Sequence, residues 1–434
     1  MREPAEPQDE ASRESPSREP APSRSESRQD LTAAEALILI AAGKPLEHAR
    51  IRRLRLKGEF TEPVVFRNCT LIQLEFDRLA VQGDLTFVNC NIDRLNTAKP
   101  STVSGNLSIN RCTLVKSSLT HLTVQGKTFF SATTFRGKFT LHDCTFVNTV
   151  SLWEAELACW ADIKLCQFQG TADFRSLSAA QGLVLTKCHF AGDFLFRGAT
   201  VGKKFQIEGS RFAGLVDVSK AKFHDYAYFE SIELEPTARL AFANTVGERL
   251  LIRPQQIAGR LASEQSGQHQ QAMHEYGFLK KCYQSLHWFA EEDWAYYRFK
   301  VNQRLANKPT WQRPWSKVRQ FCDWLFLDLG CGYGTNPTRA VWMSVAIVLG
   351  FALLYAAQVE QFHNEKLPFP GEATDFGNRV MIGLTTSVAV FTSGMGGIRE
   401  IAKGWMNAPV MIESILGTLL FGLFIVAFSR KVIR

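Results

Sequence analysis

A chain of 434 residues is too long for one ordinary domain, and a hydrophobic fraction of 45% spread this unevenly points to two or three modules. The formal charge of +8 is dispersed through most of the chain rather than gathered in one block, which argues against a nucleic-acid partner and suits an anionic membrane surface. All ten cysteines lie at or before Cys331, no CxxC pair occurs, and the nine histidines lack ligand-like spacing, so neither a metal nor a redox centre is expected.

Residues 1–30 are rich in Arg, Glu, Ser and Pro and contain no aromatic residue, so they bury too little apolar surface to offset the entropy of ordering. A disordered tail is expected there. It has no apolar secretory core, which keeps the N-terminus in the compartment of synthesis. Residues 31–50 follow as an expected helix or cap.

Residues 51–262 carry a repeat. An apolar residue is followed three positions later by Cys or a stand-in at Phe66/Cys69, Phe87/Cys90, Ile109/Cys112, Leu141/Cys144, Ile163/Cys166, Leu185/Cys188 and Ile207/Ser210. Successive Cys positions step by 21, 22, 32, 22, 22 and 22 residues. The odd step is about one and a half of the others, implying a half-unit of about ten or eleven residues. Short Phe-, Val-, Leu- and Thr-rich runs between Gly, Asn, Asp and Lys read as strands and turns, and the fixed period reads as stacked coils of a parallel β-solenoid. Cys and Phe are expected to form interior ladders, with the thiols acting as compact apolar groups.

The lines TFFSATTFRGKFTLHDCTF and CQFQGTADFRSLSA resemble the degenerate, Phe-rich form of pentapeptide-repeat proteins. That resemblance implies a right-handed parallel β-solenoid. The step of about 22 exceeds a four-by-five coil, so a departure from regular square coils is expected. A cytosolic protein or small ligand is the candidate partner of this surface.

Residues 263–335 change to helical periodicity. Tyr276, Leu279, Tyr283 and Leu286 share one face, as do Trp294, Tyr297 and Val301, which predicts a helical hairpin that caps or connects the solenoid. Downstream, Trp315, Val318, Phe321, Cys322, Leu325 and Leu329 oppose Lys317, Arg319 and Gln320, the pattern of an amphipathic helix for the cytoplasmic leaflet; packing on the hairpin is the alternative.

The run FLDLGCGYG resembles the glycine-rich first motif of S-adenosylmethionine-dependent methyltransferases, which would imply Asp328, Gly330, Gly332 and Gly334 at a cofactor. Its setting, after an amphipathic helix and straight before a membrane span, lacks the doubly wound sheet that motif needs. No enzyme is expected, and no cofactor. A flexible elbow is the plainer reading.

Residues 336–434 hold two candidate spans, at 340–357 and 409–428, with basic residues before the first and after the second. This asymmetry predicts a multi-pass inner (plasma) membrane protein with both termini cytosolic. Between the spans, Asp375 is a plausible cap for a helix from Phe376 to about Val390, carrying Thr385, Thr386 and Ser387, followed by Thr392, Ser393, Gly394, Met395 and Gly396.

Span, helix, Thr-x-Gly-x-Gly and span together resemble the two-transmembrane potassium-channel family. The resemblance implies a re-entrant pore loop at 375–397, a selectivity filter formed by carbonyls of residues 392–396, a permeant monovalent cation such as K+ or Na+, and a homotetramer, since one loop supplies a quarter of the ring. Ser393, Met395 and Gly397 stand where the family carries Val, Tyr and Asp, so the letters support the architecture more than potassium. An ordinary Gly/Ser-rich turn is the alternative. Glu413 suits either a helix start at the interface or a place behind the filter; Gly417 and Gly422 suit either a gating hinge or close helix packing. The rival function is a scaffold tethered to the membrane by two non-conducting spans.

Overall fold

The computed structural model describes residues 29–307, 314–362, 376–393 and 404–433. A parallel β-solenoid of ten turns occupies the first half of the chain. One of its faces is a sheet of ten strands, from Leu46–Glu47 through Val64–Arg67, Leu85–Val88 and Leu107–Asn110 to Arg239–Ala241, each strand parallel to the next. The remaining strands join in a second parallel sheet, because the early coils run through their corners in single strands such as Ala49–Phe60 and Thr70–Val81.

The middle coils show why the repeat is 22 residues. One coil places strands at Thr128–Phe129, Thr134–Phe135, Phe139–His142 and Thr145–Phe146 before Val150–Ser151 pairs back onto the first. The coil is four-sided. Two opposite corners each hold one additional residue in the left-handed region, Ala132 at φ 51 and Asp143 at φ 51, then Glu154 and Leu165, Ser176 and Lys187 in the next two coils. Such backbone costs an L-residue roughly 1–2 kcal/mol. It recurs because the corner side chain points outward while the next residue turns inward.

That inward residue is the cysteine position. Cys69, Cys90 and Cys112 follow Asn68, Asn89 and Arg111 at one corner, and the ladder continues there as Thr133. Cys144, Cys166, Cys188 and Ser210 follow Asp143, Leu165, Lys187 and Gly209 at the opposite corner. The anomalous step of 32 is therefore one coil to Thr133 plus half a coil across to Cys144.

The ladder is not merely apolar filling. Thiols and hydroxyls donate to carbonyls of the preceding coil, Cys112 Sγ to Phe87 O at 3.5 Å, Thr133 Oγ1 to Ile109 O at 2.6 Å, Cys144 Sγ to Leu119 O at 3.4 Å and Ser210 Oγ to Leu185 O at 3.5 Å. They also accept, as when Cys90 N–H donates to Cys112 Sγ at 3.3 Å. A corner leaves backbone groups outside the ladder, and a small side chain with both a donor and a lone pair satisfies them. Cys112→Ser should thus change stability by less than about 1 kcal/mol, whereas Cys112→Val, which lacks both functions, should cost about 2–3 kcal/mol. Thermal melts of the two variants compare these directly, and equal losses would refute the hydrogen-bonding role.

Phenylalanines stack at the strand spacing, with Phe168–Phe190 at 4.6 Å and Phe190–Phe212 at 4.7 Å between ring centroids. Both ends are covered. At the start, α1 (Ala33–Ala41) buries Ala36 and Ile40, and a reciprocal Thr32–Glu35 capping box fixes its first turn. At the other end, α2 (Pro254–Ile257), α3 (Ala262–Gln265), α4 (His269–Ser285) and α5 (Phe289–Ala306) close the last coil. The predicted α4 face is met at Tyr276, Leu279 and Tyr283, all buried. Buried backbone groups just past the last strands find side chains here: Phe242 N–H donates to Glu275 Oε1 at 3.1 Å, and Tyr283 OH donates to Ile252 O at 2.9 Å. Burial pushes the Glu275 carboxyl above the usual carboxylate range.

Next come α6 (Pro314–Cys322) and a π-helical stretch, Asp323–Leu329. Trp315, Val318 and Phe321 stay exposed, so the apolar face of α6 is not used against the hairpin. Three further α-helices follow among the described residues, α7 (Pro337–Ala357), α8 (Phe376–Ser393) and α9 (Asn407–Val432). The helix α7, and α9 together with the turn before it, are long and apolar enough to cross a membrane, with mean hydropathies of 2.2 and 2.3.

Candidate functional site, a helix between two spans

The helix α8 packs against both α7 and α9. Glycines set the two closest approaches. A Cβ on Gly383 would lie 2.3 Å from Ala352 O of α7, and one on Gly417 would lie 2.3 Å from Phe391 O of α8. Gly417 is therefore a packing glycine, whereas Gly422 has open space around it and carries no such constraint.

Glu413 joins all three helices. It lies in the second turn of α9 and is wholly buried, which does not fit a helix start at the interface. Tyr355 OH of α7 donates to Glu413 Oε2 at 2.6 Å, and the Ser387 hydroxyl of α8 reaches Glu413 Oε1 as well as Val348 O, the latter at 2.9 Å. Tyr355 is itself 1% exposed. A buried carboxylate needs such partners, since isolation in apolar surroundings is costly.

The other predicted residues divide. Thr385 is half-buried and bonds Met381 O at 2.9 Å along its own helix, while Thr386 is buried with no partner for its hydroxyl among the described residues. The expected end of the pore helix near Val390 is passed: α8 continues through Ser393, and Thr392 Oγ1 donates to Val388 O at 2.7 Å. Gly394, Met395 and Gly396 lie outside the described residues. Thr392 and Ser393 are thus helical, and an extended ladder of carbonyls could begin only after them. Gly383 and Tyr355 went unread, although Gly383 sits among apolar and hydroxyl residues where a close helix contact calls for one.

FLDLGCGYG forms the π-helical stretch and a turn with Gly332, Tyr333 and Gly334 at positive φ, not a strand and loop. Asp328 is engaged by its neighbours, accepting from Tyr297 OH at 2.8 Å and from Arg304 Nη2 at 2.6 Å. Among the described residues no cluster of His, Cys, Asp and Glu is arranged to hold a metal ion.

The chain matches no protein-family model, no curated protein and no solved structure.

Proposed function

We propose that this protein is a homotetrameric cation pore of the inner (plasma) membrane, with both termini cytosolic and the solenoid as a regulatory or docking domain. The observation that carries the reading is α8, a helix of 18 residues seated between two span-length helices and followed in the chain by Gly394, Met395 and Gly396. A tether gains nothing from a third apolar helix fastened to both spans, whereas a pore needs a rigid element to present backbone carbonyls to an ion. Gly383, Gly417 and the Glu413 contacts supply that rigidity. Residues 394–396 of four chains would strip and replace the hydration shell of a K+ or Na+ ion. No bound cofactor takes part, and a cytosolic protein or ligand acts through the solenoid.

Purified full-length protein in liposomes should pass monovalent cations, and Gly394→Ala and Gly396→Ala should each lower the flux by roughly tenfold or more, because a Cβ there crowds the carbonyl ring. Equal flux from all three proteins would sink the filter assignment. A protein that cross-links only as a monomer would favour the tethered scaffold.

A further inference from the structure

The helix α5 touches the cytosolic ends of both spans. At the last turn of α9, Arg430 Nη2 lies 3.2 Å from Asp293 Oδ1, and its guanidinium sits 4.2 Å over the Tyr296 ring. Both side chains are largely removed from solvent, at 23% and 14% exposure. At the approach to α7, Asp328 is held by Tyr297 OH and Arg304, and Arg339 in the first turn of α7 stands 5.0 Å over Tyr297 while donating to Asp328 O at 3.1 Å. Asp293, Tyr296 and Tyr297 fall within two turns of one helix. That helix is packed on α4, which seals the solenoid.

We propose that α5 is the coupling element of the pore: a two-point grip that holds the cytosolic ends of α7 and α9 together, with the Arg430–Asp293 pair as the contact whose release opens conduction. The inference rests on the pore reading above. The α7 side is fastened through a buried acid with several donors, whereas among the described residues the last turn of α9 meets α5 through the Arg430 guanidinium. Displacement of α5 by a partner pulling on the solenoid would therefore free α9 first. Asp293 and Arg430 are positioning residues; neither touches the ion path.

The test uses full-length protein, as wild type, Arg430→Gln, Asp293→Asn and the swap Asp293→Arg with Arg430→Asp. Amide hydrogen exchange over residues 425–432 reports the grip without reference to conduction, and should quicken several-fold in both single variants and return toward wild type in the swap. Unchanged exchange in the single variants overturns the grip. Cation flux in liposomes should rise several-fold in the single variants and fall back in the swap. Quickened exchange with unaltered flux overturns the gating role and leaves the pore standing. Absence of flux from every protein, wild type included, overturns the pore reading and the gating role with it, while the exchange measurement still decides whether α5 holds α9.

Discussion

Gly417→Val is expected to unseat α8 and abolish cation flux. The Cβ alone would meet Phe391 O at 2.3 Å, with Phe391 C at 3.1 Å, and both are backbone atoms of a helix that is itself fixed against α7 at Gly383. Neither partner can yield by rotating a side chain, so α9 and the last turn of α8 must separate. Overpacking of this kind costs about 1–3 kcal/mol where side chains adapt, and a backbone clash belongs at the upper end or beyond. Gly422→Ala makes the contrast, since nothing lies within 4 Å of its Cβ position, and its effect should stay within about 0.5 kcal/mol. Detergent melting temperatures and flux measured on both variants separate the two cases. A folded, conducting Gly417→Val protein would show that this contact does not position α8.

Removing the acid at 413 should be the second severe change. Glu413→Ala strands the Tyr355 hydroxyl inside a three-helix contact, leaves Ser387 with only its bond to Val348 O, and opens a void, for a combined loss of about 3 kcal/mol. Glu413→Gln retains an acceptor oxygen for one of the hydroxyls and nearly the same volume, so less than half that loss is expected. Thermal melts of the two variants give the comparison. If alanine is tolerated as well as glutamine, the three-helix junction does not depend on these hydrogen bonds.

The solenoid is legible in the sequence because its signal repeats: seven pairs of an apolar residue followed three positions later by Cys or Ser show the period, and even the 32-residue step encodes the half coil. Its corners were not readable in the same way. Asp143, Leu165 and Lys187 share no chemistry, and only their common left-handed backbone unites them. The continuation of the ladder at Thr133 had a usable signal, a hydroxyl one coil after Cys112, once thiol and hydroxyl are treated as equivalent donors. The two span-length helices and α8 between them followed from hydropathy. The end of α8 did not, because Thr392 and Ser393 can close a helix by bonding back to it as readily as they can begin an extended segment. Glu413 was visible as an oddity but not as a junction, since its partners come from two other helices. The Arg430–Asp293 contact joins residues far apart in the chain, and periodicity carries no information about such pairs.

The corner arrangement has a consequence for how the protein can vary in size. The middle coils present the same two corners to their neighbours above and below, so a whole coil can be duplicated or lost there with the corner geometry kept. Half a coil cannot, since it would set a thiol against the wrong corner. The separation between the α1 cap and the α4 cap is therefore adjustable only in increments of one strand spacing, about 4.8 Å. The solenoid behaves as a ruler with discrete marks, and its length is a quantity that selection can tune independently of α7, α8 and α9.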